Sequence, residues 1–189
     1  MNSRSRTRNI VLISLTVALT TAGAYLRIPV GPVPISLQTL FVLLSGALLG
    51  PWVGAAAMVS YILLGLIGLP LFTGGGGPQY ILSPTFGFLL SFPVSSMVVG
   101  LLLKSPQGAG HRSMSRKLLA MSLGTGIVYL IGVPWLGLNL LLVQEKAVGA
   151  QALLMMGMVP FLPGDLLKIF LATWLIGPVE KTLIQIRKR

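Results

Sequence analysis

The 189-residue chain has no cysteine, one histidine and three acidic residues, against fourteen lysines and arginines. Without cysteine there are no disulfides, no thiolate metal sites and no cysteine nucleophile, and the redox compartment stays undetermined. The lone histidine, His111, lies among arginines and serines in a loop, and the acids are Glu145, Asp165 and Glu180. No Ser-His-Asp set, carboxylate pair or metal-ligand cluster can be drawn from these residues. An enzyme is therefore not expected, nor a metal or a cofactor. The glycine run at 74–77 lacks the Gly-Lys-Ser/Thr ending of a phosphate-binding loop, so a nucleotide motor is absent too.

Charge of either sign is scarce. Only 9% of residues are charged and 54% are apolar, with a mean hydropathy of +0.89, whereas soluble domains carry about 25% charged residues. This composition describes an all-α integral membrane protein. At roughly 20 apolar residues per crossing, the length suits one bundle of six transmembrane helices, a single domain over residues 1–189. The net charge of +11 does not imply nucleic acid, which needs a basic solvent-exposed face. Instead the cations cluster: Arg4, Arg6 and Arg8 before the first apolar run; Lys104, Arg112, Arg116 and Lys117 in a central loop; Lys181, Arg187, Lys188 and Arg189 at the end. Even numbers of spans separate these clusters, so the positive-inside rule puts both termini in the cytoplasm. Contact with anionic lipid follows.

Residues 10–26 form the first span. Its arginine flank and Ala22-Gly23-Ala24 also resemble a signal peptide, but the rest of the chain is equally hydrophobic and the charge pattern needs this span. Ala18 and Ala22 are small residues one turn apart, a spacing that lets another helix approach closely. Residues 27–34 contain three prolines and read as a stiff, extended outer loop. Spans two and three, 35–49 and 53–69, turn at Gly50-Pro51. The second outer loop, 71–80, holds four consecutive glycines and then Gln79 and Tyr80, and reads as either a ligand-facing gate or a flexible linker. Span four covers 84–103, opening on ordinary capping residues at Ser83 and Pro84. Span five, 118–141, is expected to break near Gly132-Val133-Pro134-Trp135, with Trp135 an interfacial anchor or a ligand-lining aromatic. A third outer loop, 143–149, carries Glu145 and Lys146, and span six covers 150–176.

Within span six, residues 159–168 read Val-Pro-Phe-Leu-Pro-Gly-Asp-Leu-Leu-Lys. Two prolines and a glycine remove backbone hydrogen bonds that hydrocarbon cannot replace, so the break must be surrounded by protein or line a cavity. Asp165 and Lys168 are one helical turn apart, about 4.5 Å along the axis, and share a face. They read as a mutually neutralising pair, with Asp165 also capping a half-helix that restarts after Pro163-Gly164. An intramembrane acid is at the same time a candidate functional group. A neutral head group with N–H and C=O would suit the pair, and the lysine could alternatively meet a carboxylate.

The runs at 31–40 (Gly-Pro-Val-Pro-Ile-Ser-Leu-Gln-Thr-Leu), Gly50-Pro51, Gly68-Leu69-Pro70 with the following glycines, Gly132-Val133-Pro134-Trp135 and residues 160–168 occur together and in order. In this the chain resembles the biotin-specific S component of energy-coupling factor (ECF) transporters. The resemblance implies a six-helix subunit of the plasma membrane that captures biotin from outside, beneath the loops at 27–34 and 71–80. It further implies a transmembrane coupling protein and two ATP-hydrolysing subunits as partners. It assigns ligand contact to Asp165 and Lys168, a further polar contact near Gln79 and Tyr80, and a pocket position to Gln38. It maps the helix motif that meets the coupling protein onto Ala18 and Ala22. Two other readings are a self-sufficient secondary carrier for a vitamin or similar small molecule, and a structural or lipid-binding membrane protein.

Overall fold

The computed structural model describes residues 3–29, 31–104 and 113–188; His111 and Arg112 of the basic loop lie outside the described residues. Among the described residues seven α-helices follow one another: α1 (Ser3–Tyr25), α2 (Gln38–Leu49), α3 (Pro51–Leu66), α4 (Phe86–Leu103), α5 (Met114–Leu142), α6 (Ala150–Gly157) and α7 (Leu162–Lys188). Between α1 and α2 lies a short antiparallel hairpin of β1 (Arg27–Ile28) and β2 (Ile35–Ser36), in which Arg27 faces Ser36. Two 3-10 turns, Pro78–Leu82 and Val159–Phe161, precede α4 and α7.

This is a multi-pass membrane protein. Among the described residues, four helical runs are long and apolar enough to cross a bilayer: Ser5–Tyr25, Phe86–Leu103, Met114–Leu142 and Ala150–Val179. α2 and α3 are equally apolar but have only 12 and 16 residues. At 1.5 Å per residue they reach about 18 and 24 Å, short of a hydrocarbon core of about 30 Å.

Three local expectations change. Residues 27–36 are not simply an extended loop: the prolines stand outside the paired positions, leaving Arg27, Ile28, Ile35 and Ser36 free to exchange backbone hydrogen bonds. α5 is continuous through Pro134. The proline forfeits one hydrogen bond, but its surroundings clamp the helix: the Phe88 ring occupies the space a Cβ on Gly132 would need, and the Trp135 indole donates to the Ser83 carbonyl at 3.1 Å. In the last span, the helix interrupts at Met158 (φ −139°, ψ −60°) and restarts at Leu162, earlier than expected. Pro160 and Pro163 therefore fall where a starting helix needs no N–H, and Asp165 stands inside the first turn of α7 rather than at its cap.

α4 is the hub, packing against α2, α3 and α5, while α1 lies on α2 and α3, and α7 on α2 and α5. Small residues make the hub tight. A Cβ on Gly46 of α2 would lie 2.0 Å from the Ser96 carbonyl oxygen of α4, and the Ser45 and Ser96 hydroxyls meet at 2.8 Å. Lipid tails are as apolar as leucine, so close van der Waals fit and interhelical hydrogen bonds hold such a bundle together. At its inner edge, Arg116 donates to the Leu102 and Lys104 carbonyls at 2.7 and 2.9 Å, satisfying the end of α4. Because the obstacle at Gly46 is backbone, Gly46→Ala is expected to cost about 1–3 kcal/mol through overpacking. A thermal-unfolding midpoint in detergent equal to that of the parent protein would show that α2 and α4 are not locked at this point.

Candidate functional site

The β1–β2 hairpin, the glycine loop, α2, α4, α5 and the start of α7 enclose a cavity of about 60 Å³. Its walls are apolar: Val33 and Pro34 from the hairpin, Phe88 and Phe92 from α4, Val128 from α5, and Phe161 from the turn before α7. Its polar groups converge from five segments, with Ser36, Gln38, Thr39, Tyr129, Asp165 and Lys168 among them. An apolar chamber with a few convergent polar groups is the usual form of a small-molecule site.

Asp165 and Lys168 are both buried, and Lys168 Nζ donates to Asp165 Oδ1 at 2.8 Å. The Tyr129 hydroxyl, from the middle of α5, donates to the other carboxylate oxygen, Oδ2. Asp165 thus holds one charged and one neutral donor, and its place in the first turn of α7 puts it near the positive end of the helix dipole. Opposite, the Gln38 amide donates to the Tyr61 hydroxyl at 2.6 Å and accepts from Ser36 at 3.1 Å, while Tyr61 donates to the Leu71 carbonyl at 2.7 Å. The Thr39 Oγ1 is buried and makes no hydrogen bond. A buried hydroxyl without a partner is costly, and this one lines the cavity, where a polar ligand atom could satisfy it.

The glycine loop is a folded cover, not a flexible linker. Phe72 and Gly75 exchange backbone hydrogen bonds, and Gly77 N donates to Gly65 O at 2.8 Å. The Phe72 ring fills the space beside Gly65 and packs edge-on against Tyr61 and tilted against Tyr80. Positive φ at Gly75 and Gly77 makes this path glycine-dependent. Thr73 and Thr85 line the cavity from this side, and both bond the Tyr80 hydroxyl, at 3.1 and 3.0 Å.

Of the residues singled out by sequence, Asp165, Lys168 and Gln38 line the cavity. Tyr80 supports two of the lining threonines but does not line it. Gln79 turns outward, its amide donating to the Gly76 carbonyl at 2.8 Å, and lies on a separate outer cleft. Trp135 does not line the cavity; it packs edge-on against Phe86 and donates to the Ser83 carbonyl. Ala18 and Ala22 are exposed on one face of α1, while Val17, Thr20 and Ala24 are buried on the other. Sequence reading missed Tyr129 and Thr39. A signal existed for Tyr129: a tyrosine in mid-span, far from either interface, needs a buried partner for its hydroxyl.

The profile of the BioY family matches residues 1–185. The chain belongs to the BioY family. It is 34% identical over 179 residues to the biotin transporter BioY of Thermotoga maritima, covering 94% of this chain and 99% of that one. It is 36% identical over 192 residues to the biotin transporter BioY of Rhodobacter capsulatus, covering 95% of each. The probable biotin transporter BioY of Pyrococcus horikoshii is 35% identical over 164 residues, 86% of this chain and 90% of that protein. The fold also matches a crystal structure of the S-component for biotin from an ECF-type ABC transporter, with a TM-score of 0.82 and 26% identity, covering 96% of this chain and 95% of that one.

In this BioY protein the ion pair sets a simple stability test. Asp165→Ala leaves Lys168 buried without a counter-charge and is expected to cost about 3–5 kcal/mol, whereas the double variant Asp165→Leu/Lys168→Met should regain most of the loss. Thermal unfolding in detergent decides it: a double variant no more stable than Asp165→Ala would mean the two side chains are not energetically coupled.

Proposed function

We propose that this chain is the biotin-binding S component of an ECF-type transporter: a six-span subunit with both termini in the cytoplasm, binding biotin beneath the hairpin and the glycine loop. The observation that carries this reading is the polar group of Tyr129, Asp165 and Lys168 at the end of an apolar cavity, in a chain of the BioY family. Biotin pairs an apolar fused ring with a ureido group of two N–H donors and one carbonyl. Asp165 is the only carboxylate on the cavity and accepts from N–H; the Tyr129 hydroxyl, the Lys168 ammonium or the Thr39 hydroxyl can donate to C=O. The cavity of about 60 Å³ is well below the roughly 300–1,000 Å³ of occupied ligand pockets, so biotin enters by displacing the hairpin or the glycine loop.

The clustering of cations in the first turns of α1, around the α4–α5 connection and in the last turns of α7 supports the orientation. α2 and α3 complete the six spans as short helices that other protein flanks. The exposed face of α1 bearing Ala18 and Ala22 is the surface we assign to the transmembrane coupling protein, which in turn works with two ATP-hydrolysing subunits. Next to it runs an apolar groove between α1 and α3, lined by Ala18, Ser60 and Leu63, wide enough to receive a partner helix side chain.

Purified protein titrated with biotin tests the reading directly, because a ligand that binds the native state raises its stability; the absence of any binding would end it. Asp165→Asn is expected to weaken biotin by about 10- to 100-fold, the range for a hydrogen bond to a charged group, and Thr39→Val by about 2- to 10-fold. Affinities equal to the parent in folded variants would remove those residues from the site. Tryptophan at positions 18 and 22 is expected to abolish assembly with the coupling protein while leaving biotin affinity within about twofold; this is checked by co-purification alongside titration, and loss of both would assign these alanines to folding.

A further inference from the structure

Above the cavity lies a second, outer cleft of about 380 Å³, and the two share the walls Pro34, Thr73 and Thr85. The cleft is half polar, unlike the chamber below, and it has one charged lining residue, Arg27. Arg27 is exposed, and among the described residues its guanidinium has no hydrogen-bond or ion-pair partner. Its backbone is nonetheless fixed, because Arg27 pairs with Ser36 across the hairpin. Directly opposed residues of an antiparallel pair project from the same face, with Cβ atoms about 5 Å apart. Ser36 lines the inner cavity, so the guanidinium is rooted beside the cavity and extends from it into the outer cleft.

Electrostatics divides the two compartments. In the inner one, Lys168 is already neutralised by Asp165 at 2.8 Å, and a carboxylate placed there would meet the like charge of Asp165. In the outer one a single cation stands with no acid among the lining residues. We propose that the outer cleft is a carboxylate subsite in which Arg27 first captures the acid group of an incoming ligand and then holds it at the cavity mouth while the uncharged head group occupies the inner chamber. The proposal rests on the biotin reading above, and it fixes the ligand's direction: ureido ring inward, carboxylate outward. A cation at a cleft mouth raises the rate of encounter with anions, and the effect fades with added salt.

The test compares biotin with biotin amide, which keeps the rings and chain but has no charge. Association and dissociation rates are measured on detergent-purified protein at low and high salt, for the parent, Arg27→Gln and Arg27→Lys. The expected result is an association rate for biotin about tenfold lower in Arg27→Gln at low salt, a smaller deficit at high salt, near-parent behaviour in Arg27→Lys, and no change for the amide in any variant. Equal slowing of biotin and amide would make Arg27 a structural residue of the hairpin and overturn the subsite. So would an unchanged biotin rate in Arg27→Gln. If the parent protein bound neither compound, the biotin reading itself would fall and the subsite with it; binding of both by the parent, with no Arg27 dependence, would sink the subsite alone.

Discussion

Hydrocarbon gives a buried charge no hydrogen bond, so Asp165 and Lys168 can occupy the interior of this bundle only by satisfying each other and by recruiting Tyr129. Much of the outer half follows from that constraint. The carboxylate needs the first turn of a helix, and the chain supplies one by breaking at Met158 and restarting at Leu162. Tyr129 must reach the carboxylate from α5, which fixes how α5 and α7 are rotated against each other. The pair also needs walls that exclude lipid, and these come from Phe88 and Phe92 on α4 and Phe161 in the turn before α7.

The opposite half of the bundle obeys a different rule. There, Gly46, Ser45, Ser96 and Gly100 let the backbones of α2, α3 and α4 touch, and the second buried cluster of Leu43, Val99, Met121 and Ile176 fills the space around them. The molecule thus joins a tightly packed base to an outer half built from a hairpin, a glycine turn and short 3-10 segments. The loops are tied to the helices by single hydrogen bonds: Tyr25 to the Pro70 carbonyl at 2.6 Å, Tyr61 to Leu71 at 2.7 Å, Gly77 to Gly65 at 2.8 Å, Asn139 to Leu82 at 2.7 Å and Trp135 to Ser83.

Sequence carries the class of this protein in its composition and carries its ion pair in a three-residue spacing, because both are local properties of the chain. The Gly50-Pro51 turn is legible for the same reason: Gly50 takes φ 85° and Pro51 opens the next helix. What stays hidden depends on contacts between distant segments. Tyr129 and Asp165 are separated by 36 positions, and no periodicity joins them. The hairpin has two residues per strand, too few to show alternation. Pro134 misleads because its local effect is outweighed by contacts of α5 with α4 and the segment before it: Phe88 against Gly132, and Trp135 against Gly87 and the Ser83 carbonyl. The placement of Gln79 is hidden too: it follows the glycine run closely, yet its amide turns back to Gly76 and the residue lies on the second cleft, not on the cavity. The lengths of α2 and α3 were also illegible, since hydropathy continues through residues 35–37 while the helix starts only at Gln38.

The closed chamber has one more consequence. A molecule whose binding-competent form is a minority shows an affinity reduced by the fraction of that form, so a cover that opens ten times less often weakens capture tenfold with no change in any ligand contact. On the proposed function, with ligand entering as the glycine loop moves, Phe72, seated against Gly65 between Tyr61 and Tyr80, is the contact that would set this fraction, although it does not line the cavity.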